Sequence, residues 1–328
     1  MRKLFLILSL FMFCLSACAE KAANTTQPAP DKIRLPMGYI PNVQYAPFYM
    51  AVEKGYFDEA NLDVTFDYSL ETNGMALVGA NEVPFAVVSG EQVLMARGQG
   101  LPVVYVAAMW QAYPVGVAAL KEAGIRKPED MKGKKIGIPG LFGASYVGFH
   151  ALLQAGELQE SDLILDSIGF SQVEALLAGQ EDAIVIYANN EPVQLQALGY
   201  EIDLIRVSDY VKMASNGIIT NESVLAENPQ LVQRLVRALL KGLADVLEDP
   251  DEAFEVSMKY VDGLASLPVD QQQIQRQVLE ASIDFWQTDR LGYSDPVAWE
   301  NMQEILLEMD FIPEKQDLSK AYTNQFVR

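Results

Sequence analysis

The chain has 328 residues, half of them hydrophobic and 9% aromatic, which is enough apolar material for one large or two medium domains and excludes a disordered chain. Acidic residues number 44 against 24 Lys and Arg, a formal charge of −20. Like charge argues against nucleic acid or an anionic membrane surface as a partner of the folded part.

The N-terminus reads as an address. Met1-Arg2-Lys3 is basic, Leu4 to Phe13 is an apolar run too short to span a bilayer, and Leu15-Ser16-Ala17-Cys18 is similar to a bacterial lipobox. This predicts a signal peptide over 1–17, a lipid on Cys18, a flexible tether over 18–31 rich in Ala, Thr and Pro, and a location on the extracytoplasmic face of the cell membrane. Cys14 would leave with the signal peptide, so the mature chain keeps neither a free thiol nor a disulfide.

From Lys32 the pattern alternates. Ile33 to Met37 predicts a strand, Gly38 to Tyr49 a loop stiffened by Pro41 and Pro47, and Phe48 to Phe57 a helix. Strands follow at 62–68, 83–88 and 103–109, with short helices at 74–78 and 93–97. The same order returns about a hundred residues on, with strands at 135–140, 163–168 and 183–187 and helices at 141–153 and 173–177. Leu77 to Glu82 with its strand and Glu91 matches Leu176 to Glu181 with its strand and Glu191, and Gly38 stands where Gly137 does. This predicts an α/β protein of two similar lobes with parallel-rich sheets, lobe 1 over 32–115 and 216–328 and lobe 2 over 116–215. After a strand at 217–220, amphipathic helices starting at Pro229, Asp251, Asp270 and Pro296 are expected to complete lobe 1. Crossings near Tyr113 to Val117 and near Ser215 would form a two-strand hinge.

Loops at the strand ends of both lobes would line one cleft. Residues 38–49, 89–92, 137–149 and 187–194 contain no Lys or Arg, which points to a neutral ligand; an anion would depend on backbone N–H groups at Gly143-Ala144-Ser145. Tyr39, Tyr45, Tyr49, Trp110, Tyr113, Phe142, Tyr146 and Tyr187 lie in or beside these loops. About half are expected to serve packing alone. Stacking a flat heterocycle adds about 0.5–1.5 kcal/mol per ring pair, and Trp110 is the leading candidate. Glu91 and Glu191 suit three roles: accepting ligand N–H groups, acting as acid and base, or capping helix N-termini. The candidate ligand-binding set is Tyr39, Asn42, Tyr45, Glu91, Trp110, Phe142, Ser145, Tyr146, Tyr187, Asn189 and Glu191. His150, in an apolar helical pattern, reads as packing. A single His and no mature thiol leave no Cys nucleophile, His-based triad or metal cluster of usual composition, so neither catalysis nor a cofactor is expected.

Together, the lipobox, Gly38-Tyr39-Ile40-Pro41-Asn42, Glu53-Lys54-Gly55-Tyr56-Phe57, Lys134 to Gly140 and Tyr187 to Pro192 resemble the substrate-binding proteins of ABC importers, in the group related to thiamine-pyrimidine synthases and sulfonate-binding proteins. The resemblance runs from about Lys32 to Trp286. It implies a two-lobed type II periplasmic-binding-protein fold, a monomer that hands its ligand to an ABC permease, and riboflavin or a formylated aminopyrimidine as ligand. The number of aromatics leans to the larger flavin ring. On that reading Trp110 and Tyr187 stack on the ring, Glu91, Asn42 and Glu191 bond its polar edge, and Gly143 to Tyr146 meet the ribityl hydroxyls. The synthase branch needs a cysteine-rich stretch and histidines around iron; this chain has neither.

Overall fold

The computed structural model describes residues 29–327, so the expected signal peptide and lipidated Cys18 lie outside the described residues. Strands β1 (Asp31–Gly38) and β2 (Leu62–Leu70) pair in parallel, Asp31 opposite Leu62, with a shift of register after Pro36. Strands β3 (Phe85–Val88) and β4 (Val103–Ala108) flank β10 (Gly217–Asn221), which runs antiparallel to both. A five-stranded sheet holds β5 (Val115–Leu120), β6 (Lys135–Ile138), β7 (Ile164–Ser167), β8 (Ala183–Tyr187) and β9 (Ile202–Arg206) in the order β7-β6-β8-β5-β9. There β6 is parallel to β7 and β8, while β5 opposes β8 and β9. In each of the two larger sheets one strand thus runs against all the others, and each is the strand that follows a crossing. The apolar runs of β3, β4 and β8 are buried along their length, as strands covered on both faces must be.

Strands β5 and β9 are absent from the sequence reading. Val115-Gly116-Val117-Ala118-Ala119-Leu120 is built of small residues, and its glycine has a packing reason: a Cβ on Gly116 would stand 2.6 Å from the Ile205 carbonyl of β9. The chain crosses from β4 to β5 through Met109 to Pro114 and returns to β10 through the segment ending at Asn216. The two crossings are tied together, because the N–H groups of Met109 and Trp110 both donate to the Asn216 carbonyl, at 3.0 and 3.1 Å. The outgoing one begins a few residues earlier than the sequence places it.

The helix Pro229–Glu248 opens with Pro in its first turn and the Asn228 side chain accepting from Leu231 N–H at 3.1 Å. Its buried face, Leu231, Val232, Leu235, Val236, Leu239, Leu243 and Val246, packs on the helix Ala46–Glu53, each side chain contributing about 1.5–3 kcal/mol. The later helices reach further than the segment 32–115 that they are expected to complete. Val269–Trp286 touches both the turn Val43–Tyr45 and the helix Glu191–Ala197, and the Phe285 carbonyl accepts from Gln111 N–H at 2.7 Å. Pro296–Glu308 packs on both Gly90–Gly98 and Gly143–Ala155. Among the described residues no helix is long and apolar enough to cross a membrane.

Candidate ligand-binding site

A cavity of about 180 Å³ opens between the strand ends of the two larger sheets, lined from one side by the loop after β1 and the first turns of the helices Glu71–Gly79 and Gly90–Gly98, and from the other by Pro139, Gly140, Phe142 to Ser145, Phe170, Tyr187, Asn190 and Glu191. Strand ends and helix N-termini meet here because each β-to-helix turn must release backbone groups at the same edge of the sheet. Trp110, on the outgoing crossing, forms the back wall, with its ring 5.7 Å from Trp286 and 6.2 Å from Tyr187, both nearly perpendicular. At the mouth, Tyr39 meets Phe170 edge-on at 5.3 Å, while Phe142 and Phe170 stay 64% and 67% exposed. A flat ligand would cover them.

Of the residues the sequence nominated, Tyr39, Tyr45, Trp110, Phe142, Ser145, Tyr187 and Glu191 line the cavity. Four do not. Asn42 turns back to accept from Gln44 N–H at 3.0 Å, capping the short helical turn that follows it. Glu91 is fully buried behind the wall. Tyr146 points away: its hydroxyl donates to Glu160 at 2.8 Å and its ring meets His150, which reaches the same carboxylate at 3.2 Å. Asn189 is buried and donates to Ser282 Oγ at 2.8 Å. Of the other aromatics in the sequence set, Tyr49 stacks on Tyr260 at 4.6 Å and Tyr113 donates to the Ala144 carbonyl at 3.0 Å.

The sequence reading missed Glu71, Phe170 and Trp286. Glu71 had a visible signal: it is an acidic residue opening a helix directly after a strand, as Glu191 is. Phe170 and Trp286 come from a short turn and a helix end with no such mark. The cavity walls carry no Lys, Arg or His, and Glu71 and Glu191 are the carboxyls among them. Glu191 accepts from Tyr187 N–H at 2.9 Å and from Asn190 Nδ2 at 3.3 Å, yet burial raises its carboxyl to about 7. Tyr39 is raised by burial and by the Glu191 charge. Facing these acceptors, Gly143, Ala144 and Ser145 begin a helix whose preceding residue, Phe142, gives no side-chain cap. The site therefore presents carboxyl acceptors on two sides, free backbone donors on a third, and aromatic faces between.

A family model described as NMT1/THI5 like matches residues 42–253. The chain belongs to the NMT1/THI5-like family. Within reach of this family assignment, the chain is 37% identical to the riboflavin-binding protein RibY of Chloroflexus aurantiacus, over 97% of this chain and 95% of that protein. It is 27% identical to a formylaminopyrimidine-binding protein of Halalkalibacterium halodurans, over 98% and 99% of the two chains. Among solved structures it is similar to the periplasmic aliphatic sulphonate binding protein SsuA of Escherichia coli, with a TM-score of 0.72 and 13% identity over 89% of this chain and 91% of that one. This NMT1/THI5-like chain accordingly has the periplasmic-binding-protein fold that the resemblance of its motifs implies.

Proposed function

We propose that this NMT1/THI5-like protein is the extracytoplasmic, lipid-anchored substrate-binding protein of an ABC importer, and that it binds riboflavin between its lobes for delivery to the permease. The lobes are 32–115 with 216–328, and 116–215, turning about the paired crossings at Met109 to Pro114 and Asn216. The observation that carries the ligand class is the cavity wall: aromatic, free of cationic side chains, and supplied with Glu71 and Glu191 as acceptors. A sulfonate would meet two carboxyls and no counter-charge, whereas a neutral ring with N–H and carbonyl groups on one edge can donate to a carboxyl and accept from the Gly143 to Ser145 N–H groups. The identity to RibY over nearly the full length supports riboflavin within that class.

The protein binds and does not catalyse. Glu91 and Glu191, the acid–base pair that the sequence offered, do not converge on the cavity, since Glu91 lies behind its wall. A formylated aminopyrimidine is the second reading, because an amino group suits the same carboxyls and one relative is named for that ligand. Isothermal titration with riboflavin and with formylaminopyrimidine separates the two: riboflavin binding at micromolar or tighter concentration is expected, and binding of the pyrimidine alone would replace riboflavin as the ligand.

A further inference from the structure

Ser89 occupies the position before the helix Gly90–Gly98 where a serine usually caps, yet its side chain makes no capping bond. Its Oγ instead lies 2.6 Å from Glu71 Oε1 and in hydrogen-bond contact with Glu91 Oε1, while its backbone N–H also goes to Glu71 Oε1. A hydroxyl has one proton to give. In one of its two carboxyl contacts the carboxyl must therefore carry the proton and donate to Oγ. Glu71 Oε1 already receives the Ser89 N–H, which makes Glu71 the acceptor and Glu91 the acid. The burial of Glu91 agrees: it is fully buried, and the Tyr113 hydroxyl beside it gives its proton to the Ala144 carbonyl, so a neutral acid is tolerated there far better than a carboxylate. Glu71 faces the cavity, Ser89 stands behind it, and Glu91 is innermost.

We propose that Glu71, Ser89 and Glu91 form one proton-sharing relay that holds Glu71 as a charged acceptor in the cavity wall, where it reads a ring N–H of the ligand and sets the preference for neutral N–H heterocycles over anions and N-alkylated rings. This rests on the ligand-binding reading above and adds a selectivity residue to it. The groups facing the relay leave the proton on the pair. Tyr45 and Tyr187 from the cavity side, and Tyr105 and Tyr113 from the core side, are phenols held well above their usual range by burial and by these carboxyls. Burial raises Glu71 and Glu91 alike; for Glu91 the Glu71 charge adds to it and the result is about 8.

Two measurements on the purified full-length chain test the relay. Infrared spectra without ligand at neutral pH, recorded in a Glu191→Gln background because Glu191 is itself raised to about 7, should contain a protonated-carboxyl stretch that disappears when Glu91→Gln is added. Absence of that band, or its survival in Glu91→Gln, overturns the relay whatever the ligand proves to be. In riboflavin titrations Glu71→Gln should weaken binding about 10–100-fold, the size expected for a hydrogen bond to a charged group. Glu91→Gln should lose clearly less than Glu71→Gln, because its amide can donate to Ser89 as the acid did and Glu71 keeps its charge. The wild type should prefer riboflavin to N3-methylriboflavin, and Glu71→Gln should erase that preference. Equal losses in Glu71→Gln and Glu91→Gln, or an unchanged preference, would remove Glu71 as the reader of the N–H. Failure of riboflavin to bind the wild type counts against the ligand assignment, and the infrared band then decides the relay alone.

Discussion

Glu91 and Glu191 hold matching places in the two sequence halves, each just past an apolar strand, yet one is sealed in the core and the other lines the ligand cavity. The difference is one residue of helix register. Glu191 is the first residue of its helix, whereas Glu91 is the second, and one residue turns a side chain by about 100° around a helix axis. Gly90 holds that register: a Cβ there would stand 2.5 Å from the Ala214 Cβ on the returning crossing. The true counterpart of Glu191 is Glu71, also the first residue of its helix and also on the cavity wall. Position in a helical turn, and not distance from a strand in sequence, decides which acid faces the cavity.

The largest effect is expected from removing the ring at the back of the cavity. Trp110→Ala is expected to cost about 3–5 kcal/mol of stability, since the indole fills the space between Tyr187, Phe285 and Trp286, and to abolish riboflavin binding. Calorimetric melting checks the first effect, and an unchanged Tm would mean that the ring is not part of the core. Next in size, Glu191→Ala should weaken riboflavin about 10–150-fold, the loss of a hydrogen bond to a charged group, with little change in Tm. An unchanged dissociation constant would take Glu191 out of the site.

Titration separates the two acids further. Burial holds Glu91 at about 8 and Glu191 at about 7, above the ordinary carboxyl range, so the folded chain keeps protons that the unfolded chain releases. These groups' contribution to stability is therefore full below pH ~4.5 and is lost as pH rises toward 8. Glu91→Gln should remove its share of that loss: urea unfolding at pH 4 should match the wild type, and at pH 8.5 the variant should be more stable by on the order of 1–3 kcal/mol. A variant no more stable than the wild type at pH 8.5 would mean that Glu91 is not held neutral. The smallest effect belongs to Asn42. As a cap, Asn42→Ala should cost about 1 kcal/mol of stability and leave riboflavin affinity unchanged. A drop in affinity without loss of stability would return Asn42 to the site.

The alternation of strand and helix was legible because strands buried on both faces, such as Val103 to Ala108 and Ala183 to Tyr187, are continuous apolar runs. Strands β5 and β9 were not, because small residues and a short mixed stretch carry no such signal until the two lie against each other at Gly116. The aromatic character of the cleft and its lack of Lys and Arg were also legible, since both belong to loops that sequence order assigns to strand ends. What sequence hides is direction. Asn42, Asn189 and Tyr146 sit in the right stretches but bond away from the cavity, to Gln44, Ser282 and Glu160, and the Glu71–Ser89 pairing joins residues 18 positions apart on separate elements.

We propose that this cleft is made for a neutral ring that donates N–H groups. Flavin fluorescence of riboflavin titrated with the full-length protein tests it most directly, with an alkanesulfonate and formylaminopyrimidine as competitors. Saturable quenching at micromolar or lower concentration, insensitive to the sulfonate and weakened in Glu191→Ala, is the expected result. No quenching, together with a rise in Tm on adding the sulfonate, would contradict the account.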